Sequence, residues 1–182
     1  MRFRWLRILF AAMSLSTPAT LLAQAPVSYQ LSFPEPEHRW MQVEIALADL
    51  PAAPLELHMS RSSPGRYALH EFSKNVYDVT ITDAMGRPLA ATRPNPHQWV
   101  VATHGPLVNV SYRVYGDRVD GTYLSVDATH AHINMPAALM WVRGLEDRPV
   151  RVTFNAPAAS GWKVATQLFP GSDPQTFTAP NL

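Results

Sequence analysis

The chain of 182 residues predicts an all-β fold, an antiparallel β-sandwich or saddle-like β-domain, and three observations carry that expectation. Short runs of alternating, β-branched and aromatic residues recur at intervals of about 8–12 residues, the spacing of sandwich strands. The 17 prolines concentrate between these runs, where a missing N–H costs no ladder bond. No stretch carries the 3.6-residue apolar period of a long helix.

Residues 1–25 stand apart from that fold. Arg2, Arg4 and Arg7 precede the mostly apolar run Ile8 to Leu22, and Ala23-Gln24-Ala25 is a small-x-small cleavage site, so the segment reads as a secretory signal. Ser14, Ser16, Thr17 and Pro18 interrupt the run, which falls short of the roughly 20 apolar residues of a membrane span. Export with cleavage is therefore expected, to a bacterial periplasm or the medium, with no membrane contact afterwards. Cleavage removes 3 of the 15 Lys and Arg and none of the 14 Asp and Glu, leaving a net charge of −2. Such a balance offers no sequence-level case for binding nucleic acid. With no cysteine to form a disulfide, the mature chain must rely on its own core, and its length is adequate for one ordinary domain.

The strands follow in order. Val27–Phe33 and Trp40–Leu47 are parted by Pro34 and Pro36, and Leu55–Met59 follows Pro51 and Pro54. Val76–Thr82 ends at Asp83-Ala-Met-Gly86, a turn in which Gly86 can take positive φ, leading the chain back as an antiparallel neighbour. Gln98–Ala102 follows Pro94 and Pro96. Leu107–Tyr115 alternates cleanly: Val108, Val110, Tyr112 and Val114 belong to the core, while Asn109, Ser111, Arg113 and Tyr115 face outward. His130–Met135, Leu139–Val142, Val150–Phe154 and Trp162–Thr166 complete the set. Trp40, Trp99, Trp141 and Trp162, spread over separate strands, are expected to pack in the core rather than to form a carbohydrate platform. Phe169–Leu182, with Pro170, Gly171, Pro174 and Pro180, reads as a loop or linker.

Few residues suggest chemistry of their own. His70-Glu71-Phe72-Ser73-Lys74 begins like the H-E-x-x-H helix of zinc proteases, but Lys74 stands where the second histidine would ligate, and a protonated lysine cannot hold zinc. His130-Ala131-His132 on a strand would place two imidazoles on one side of a sheet, half of a four-coordinate shell. A structural role for these histidines is preferred, with Asp127 the nearest carboxylate in sequence. No G-x-S-x-G elbow or Gly-rich phosphate loop is present, although a Ser–His–acid site assembled from distant residues stays open. No catalytic, cofactor-binding or metal-ligating residue is therefore assigned.

One segment carries more. Met59-Ser-Arg-Ser-Ser-Pro-Gly-Arg-Tyr-Ala-Leu-His-Glu-Phe-Ser-Lys-Asn-Val76 resembles the N-terminal domain of the glycyl aminopeptidase type of zinc metallopeptidase. Asp127-Ala-Thr-His-Ala-His-Ile-Asn134 and Trp162-Lys-Val-Ala-Thr166 are similar to later segments of that domain, in the same order. The chain departs from the pattern at Ser62, where a tryptophan is usual. The resemblance implies that residues 26–168 are an N-terminal β-domain and 169–182 a linker toward a catalytic domain beyond Leu182. It further implies that zinc and the peptide substrate belong to that catalytic domain, which is often joined to a PDZ domain, and that this chain is inactive alone. His130, His132 and Asn134 are the candidate interface or substrate-pocket residues on this reading. The alternative is a free-standing periplasmic β-sandwich that binds a peptide, a glycan or a partner protein through a sheet face or edge.

Overall fold

The computed structural model describes residues 24–181, so the candidate export signal, apart from its last two residues, lies outside the described residues. Thirteen strands are seen among them. The first seven are β1 (Val27–Ser32), β2 (Trp40–Leu47), β3 (Leu55–Met59), β4 (Val76–Asp83), β5 (Thr92–Asn95), β6 (Gln98–Val101) and β7 (Val108–Tyr115). The remaining six are β8 (Ser125–Val126), β9 (Ala131–His132), β10 (Met140–Val142), β11 (Val150–Asn155), β12 (Phe169–Pro170) and β13 (Thr176–Ala179). One four-residue helix, α1 (Met135–Ala138), precedes β10.

The strands form a seven-stranded sheet in the order β12-β13-β11-β1-β2-β7-β4, a four-stranded sheet β10-β3-β6-β5 and a two-stranded ribbon β8-β9. All pairs are antiparallel except β1 with β11, which run parallel from Val27 beside Val150 to Ser32 beside Asn155. The alternation read in β7 holds: Val108, Val110, Tyr112 and Val114 are buried and the intervening residues are not. Met41, Val43, Ile45 and Leu47 of β2 lie on the same face, and with Leu55, Leu57 and Met59 of β3 they share one hydrophobic core. The φ of Gly86 is +76°, and Asp83 N–H donates to Arg87 O at 2.9 Å, closing the turn after β4.

Two tyrosines bolt the layers together. Tyr29 Oη donates to Met140 O at 2.8 Å, while Tyr112 Oη donates to Ala138 O at 3.0 Å and accepts from Met140 N–H at 2.9 Å. Burial pushes both phenol pKa values well above their ordinary position, so both hydroxyls remain donors.

Several expectations are corrected. Residues 169–182 are not simply a linker: β13 pairs with β11 and β12 pairs with β13, extending the large sheet. Pro170 is tolerated because β12 is the edge strand, and Pro94 sits within β5, the edge of the smaller sheet, for the same reason. The strand expected over His130–Met135 ends at His132, because the chain turns into α1, whose first turn carries Pro136. Trp162–Thr166 forms no strand. Of the four tryptophans, Trp99 alone is fully buried: Trp40 packs with Tyr77 and Tyr115, Trp141 stacks on His58 at 4.5 Å, and Trp162 leans on Phe33 at 5.2 Å.

Candidate functional site

The loop between β3 and β4 cannot form a regular element, because Pro64 and Gly65 enforce a turn in which Gly65 adopts φ +73°. Its exit is a 3-10 turn, Phe72–Asn75, that buries Phe72 and Ser73. What fixes the loop is a set of bonds to residues far away in sequence. Asn134 Nδ2 donates to Ser63 Oγ at 3.0 Å and also to Thr122 O, so a single amide joins this loop to the one before β8. Arg66 Nη2 donates to Asp120 O at 3.1 Å, strengthening the same junction.

Asp120 organises the opposing loop. Its Oδ1 accepts the N–H groups of Thr122 at 2.9 Å and Tyr123 at 3.1 Å, and Arg118 pairs with its Oδ2 at 3.1 Å. These donors, the Thr122 N–H foremost, hold its carboxyl below the usual carboxylate range. Tyr123 sits at the centre: the Arg118 guanidinium lies over its ring at 4.2 Å, and Phe72 meets it edge-on at 5.0 Å. His70 stacks on Phe72 at 5.0 Å, with its buried Nε2 lacking a partner among the described residues. Between the loops is an open cleft of about 550 Å³ lined by Arg66, Tyr67, His70, Arg118, Asp120 and Tyr123.

Two large apolar side chains of this loop are turned to solvent. Tyr67 is fully exposed and Leu69 is 72% exposed, in a loop whose base is anchored through Ser63 to Asn134, through Arg66 to Asp120, and through Glu71 to Arg61 and His97. Large apolar groups held out on a fixed base are a feature of contact sites.

The three residues nominated from sequence separate. Asn134 is at the junction, where its amide is committed to Ser63 and Thr122. His130 is exposed and belongs to a local turn: its Nδ1 is 2.9 Å from Thr129 Oγ1 and 3.3 Å from Asp127 Oδ1. The Thr129 hydroxyl and the N–H groups of Thr129 and His130 bond Asp127 and lower its pKa to about 2. His132 is exposed and faces a different cavity, beside Trp162 and Lys163. Among the described residues no three His, Cys, Asp or Glu come together in a way that could hold a metal ion.

The fold does assemble one serine, one histidine and one carboxylate that sequence alone left unconnected. His97 Nδ1 lies 3.0 Å from Ser73 Oγ and its Nε2 lies 3.4 Å from Glu71, whose other oxygen accepts from Arg61 at 2.6 Å. Ser73 is only 4% exposed in its turn, so substrate cannot reach Oγ, and Glu71 is shared with an arginine. The set is a clamp between the Met59–Val76 loop and the β5-β6 hairpin rather than a nucleophilic site. Glu71 and Ser73 both stand in the His70–Lys74 run, but the 24 residues separating Ser73 from His97 gave no spacing to read.

Comparison with known proteins agrees with this architecture. The family model described as the peptidase M61 N-terminal domain matches residues 28–182. The crystal structure of an aminopeptidase N family protein from Idiomarina loihiensis superposes with a TM-score of 0.78 at 23% identity, over 85% of this chain and 27% of that one. A mutant M1 zinc metallopeptidase from Deinococcus radiodurans, bound to a Tyr-Ser-Ala substrate, gives a TM-score of 0.41 at 12% identity, over 86% of this chain and 38% of that one. No curated protein matches. The chain thus spans about a quarter of the length of the first of these structures.

Proposed function

The chain belongs to the peptidase M61 family through its N-terminal domain, and from that premise we propose that it is the non-catalytic β-domain of an exported zinc-dependent aminopeptidase. In this reading it scaffolds a catalytic domain that holds the zinc, and its loop cluster borders the substrate cleft. The observation that carries the proposal is the loop from Met59 to Val76, which combines an anchored base with the exposed Tyr67 and Leu69. Those side chains present apolar area to a neighbour, while Arg66 and Arg118 beside them leave donors at the rim of the cleft. The domain's own chemistry is supportive: it positions, and the reacting groups reside elsewhere.

The test is to isolate the protein from its source cells with an antibody against residues 26–181. The expected product has a mass well above 20.2 kDa and releases N-terminal residues from peptides, with activity abolished by 1,10-phenanthroline and restored by zinc. A product of about the chain's own mass, lacking that activity, would overturn the reading and favour a free-standing binding domain.

A further inference from the structure

Trp162-Lys-Val-Ala-Thr166 has the aromatic and β-branched character of a strand, yet it pairs with nothing. Among the described residues, the backbone N–H groups of Lys163 to Gln167 make no hydrogen bond. The segment runs without a turn or bend from Trp162, seated on Phe33, to Thr166, and then bends at Gln167 and Leu168 into β12 at the edge of the large sheet. Its ends are tied locally, by Trp162 N–H to Ser160 Oγ and by Leu168 N–H to Thr166 Oγ1, both at 3.2 Å. What lies between is a short row of backbone groups free to pair.

A second observation points to what would pair with it. Beside the segment is a cavity of about 330 Å³ with Phe33, Ile133, Phe154 and Trp162 in its wall. That size falls at the small end of ligand pockets and suits one large apolar side chain. Among the described residues, the charged and titratable groups lining it are Lys163 and His132, and no carboxylate lines it. A strand-prone segment with unpaired backbone N–H groups, an apolar pocket and a lysine beside it together describe a peptide-binding edge.

We propose that Lys163–Gln167 binds an extended peptide by strand addition, with one apolar side chain of the peptide in this cavity and a carboxylate next to Lys163 and His132. The ladder supplies binding independent of sequence, and the pocket with its cation selects a peptide ending in, or carrying, an acidic group beside an apolar residue. The site is separate from the loop cluster around Asn134 and does not depend on the chain's being part of a longer enzyme.

The probe is N-acetyl-Glu-Thr-Val-Thr-Leu with a free C-terminal carboxylate, whose blocked amine prevents it from acting as an aminopeptidase substrate. Hydrogen exchange of the purified protein should be fast at residues 163–167 and slow at least fivefold there when the peptide is saturating. Val164→Pro and Ala165→Pro cover the two alternating directions of the N–H groups, and neither removes a native hydrogen bond. At least one should weaken binding tenfold or more without changing the unfolding midpoint. Amidation of the peptide carboxylate, or Lys163→Ala, should weaken it several-fold. Protection of 163–167 without peptide would mean that another part of the protein or a second copy covers the segment, and would overturn the proposal. So would saturating peptide that leaves exchange at 163–167 unchanged, or wild-type binding by both proline variants.

Discussion

Removing one oxygen atom in Tyr112→Phe should cost this fold more than a typical surface substitution does. The ring keeps its volume and its contacts, so no cavity opens. The loss is confined to two bonds: the hydroxyl no longer donates to Ala138 O or accepts from Met140 N–H, at 3.0 and 2.9 Å. Both of those residues are buried, so neither group can turn to water. An unsatisfied buried polar group costs about 1–3 kcal/mol, and the phenylalanine regains part of that by removing a buried hydroxyl, which gives a net loss of about 2–4 kcal/mol. At about 2–4 °C per kcal/mol for a domain of this size, Tm should fall by roughly 5–15 °C. Tyr29→Phe orphans a single acceptor, Met140 O, and should cost about 1–2 kcal/mol. Because both tyrosines converge on Met140, the double variant should depart from additivity by roughly 0.5 kcal/mol or more. Urea unfolding followed by tryptophan fluorescence measures all three. A Tyr112→Phe loss below about 0.5 kcal/mol at unchanged m-value would refute the account of the two layers as bolted through this hydroxyl.

Four further outcomes follow from the same contacts. Asp127, with its pKa lowered to about 2, stabilises the fold above its ordinary value of 3.8 and loses that contribution as pH falls toward 2; Tm measured from pH 5 to pH 2 should therefore drop less steeply in Asp127→Asn. Asn134→Ala should cost about 1–2 kcal/mol and speed hydrogen exchange across residues 63–72 while sparing β7, since its amide joins two loops and no strand; unchanged exchange in that loop would count against the junction. Arg148, buried and with no carboxylate partner among the described residues, donates to Ala48 O and Asp49 O at 2.7 Å each, so Arg148→Met should destabilise by about 2–4 kcal/mol in chemical denaturation. A Cβ on Gly116 would lie 2.8 Å from Leu124 Cδ2 and nearer still to its Cγ, so Gly116→Ala should lower Tm by several degrees and disturb the Arg118–Tyr123 stack, visible in near-ultraviolet circular dichroism.

The strands that sequence reveals are those whose partners lie on both sides. In β2 and β7, every second residue meets the core, and Met41 to Leu47 and Val108 to Val114 show that period directly. Edges are different, because a strand with one free side can carry proline or glycine and lose nothing. Pro94 in β5 and Pro170 in β12 therefore conceal strands that the fold nevertheless builds. The loop cluster was partly legible: the Ser63-Pro-Gly-Arg-Tyr67 turn stood out by its resemblance to the aminopeptidase N-terminal domain, and Asn134 was singled out on the same ground. Their contact spans 71 residues and depends on how α1 enters the core, which no local period encodes.

Trp162–Thr166 is the inverse case, and it separates propensity from structure. Its residues favour an extended chain, since β-branched and aromatic side chains suit a pleated surface, but propensity supplies no partner for the backbone. β12 is the outer edge of the large sheet and pairs only with β13, and from Lys163 to Gln167 the chain lines a cavity with Ala131 and Met135 without a backbone bond to the ribbon or to α1. A local preference for strand, met by no strand within the described residues, is the condition under which an external peptide completes the hydrogen bonding. Water otherwise solvates these groups at little cost, so the advantage to such a peptide comes chiefly from the apolar pocket at Phe33 and Trp162. Phe33→Ala should therefore weaken the acetylated peptide more than Lys163→Ala does; the reverse order would show that charge, and not burial beside the open strand, selects the ligand.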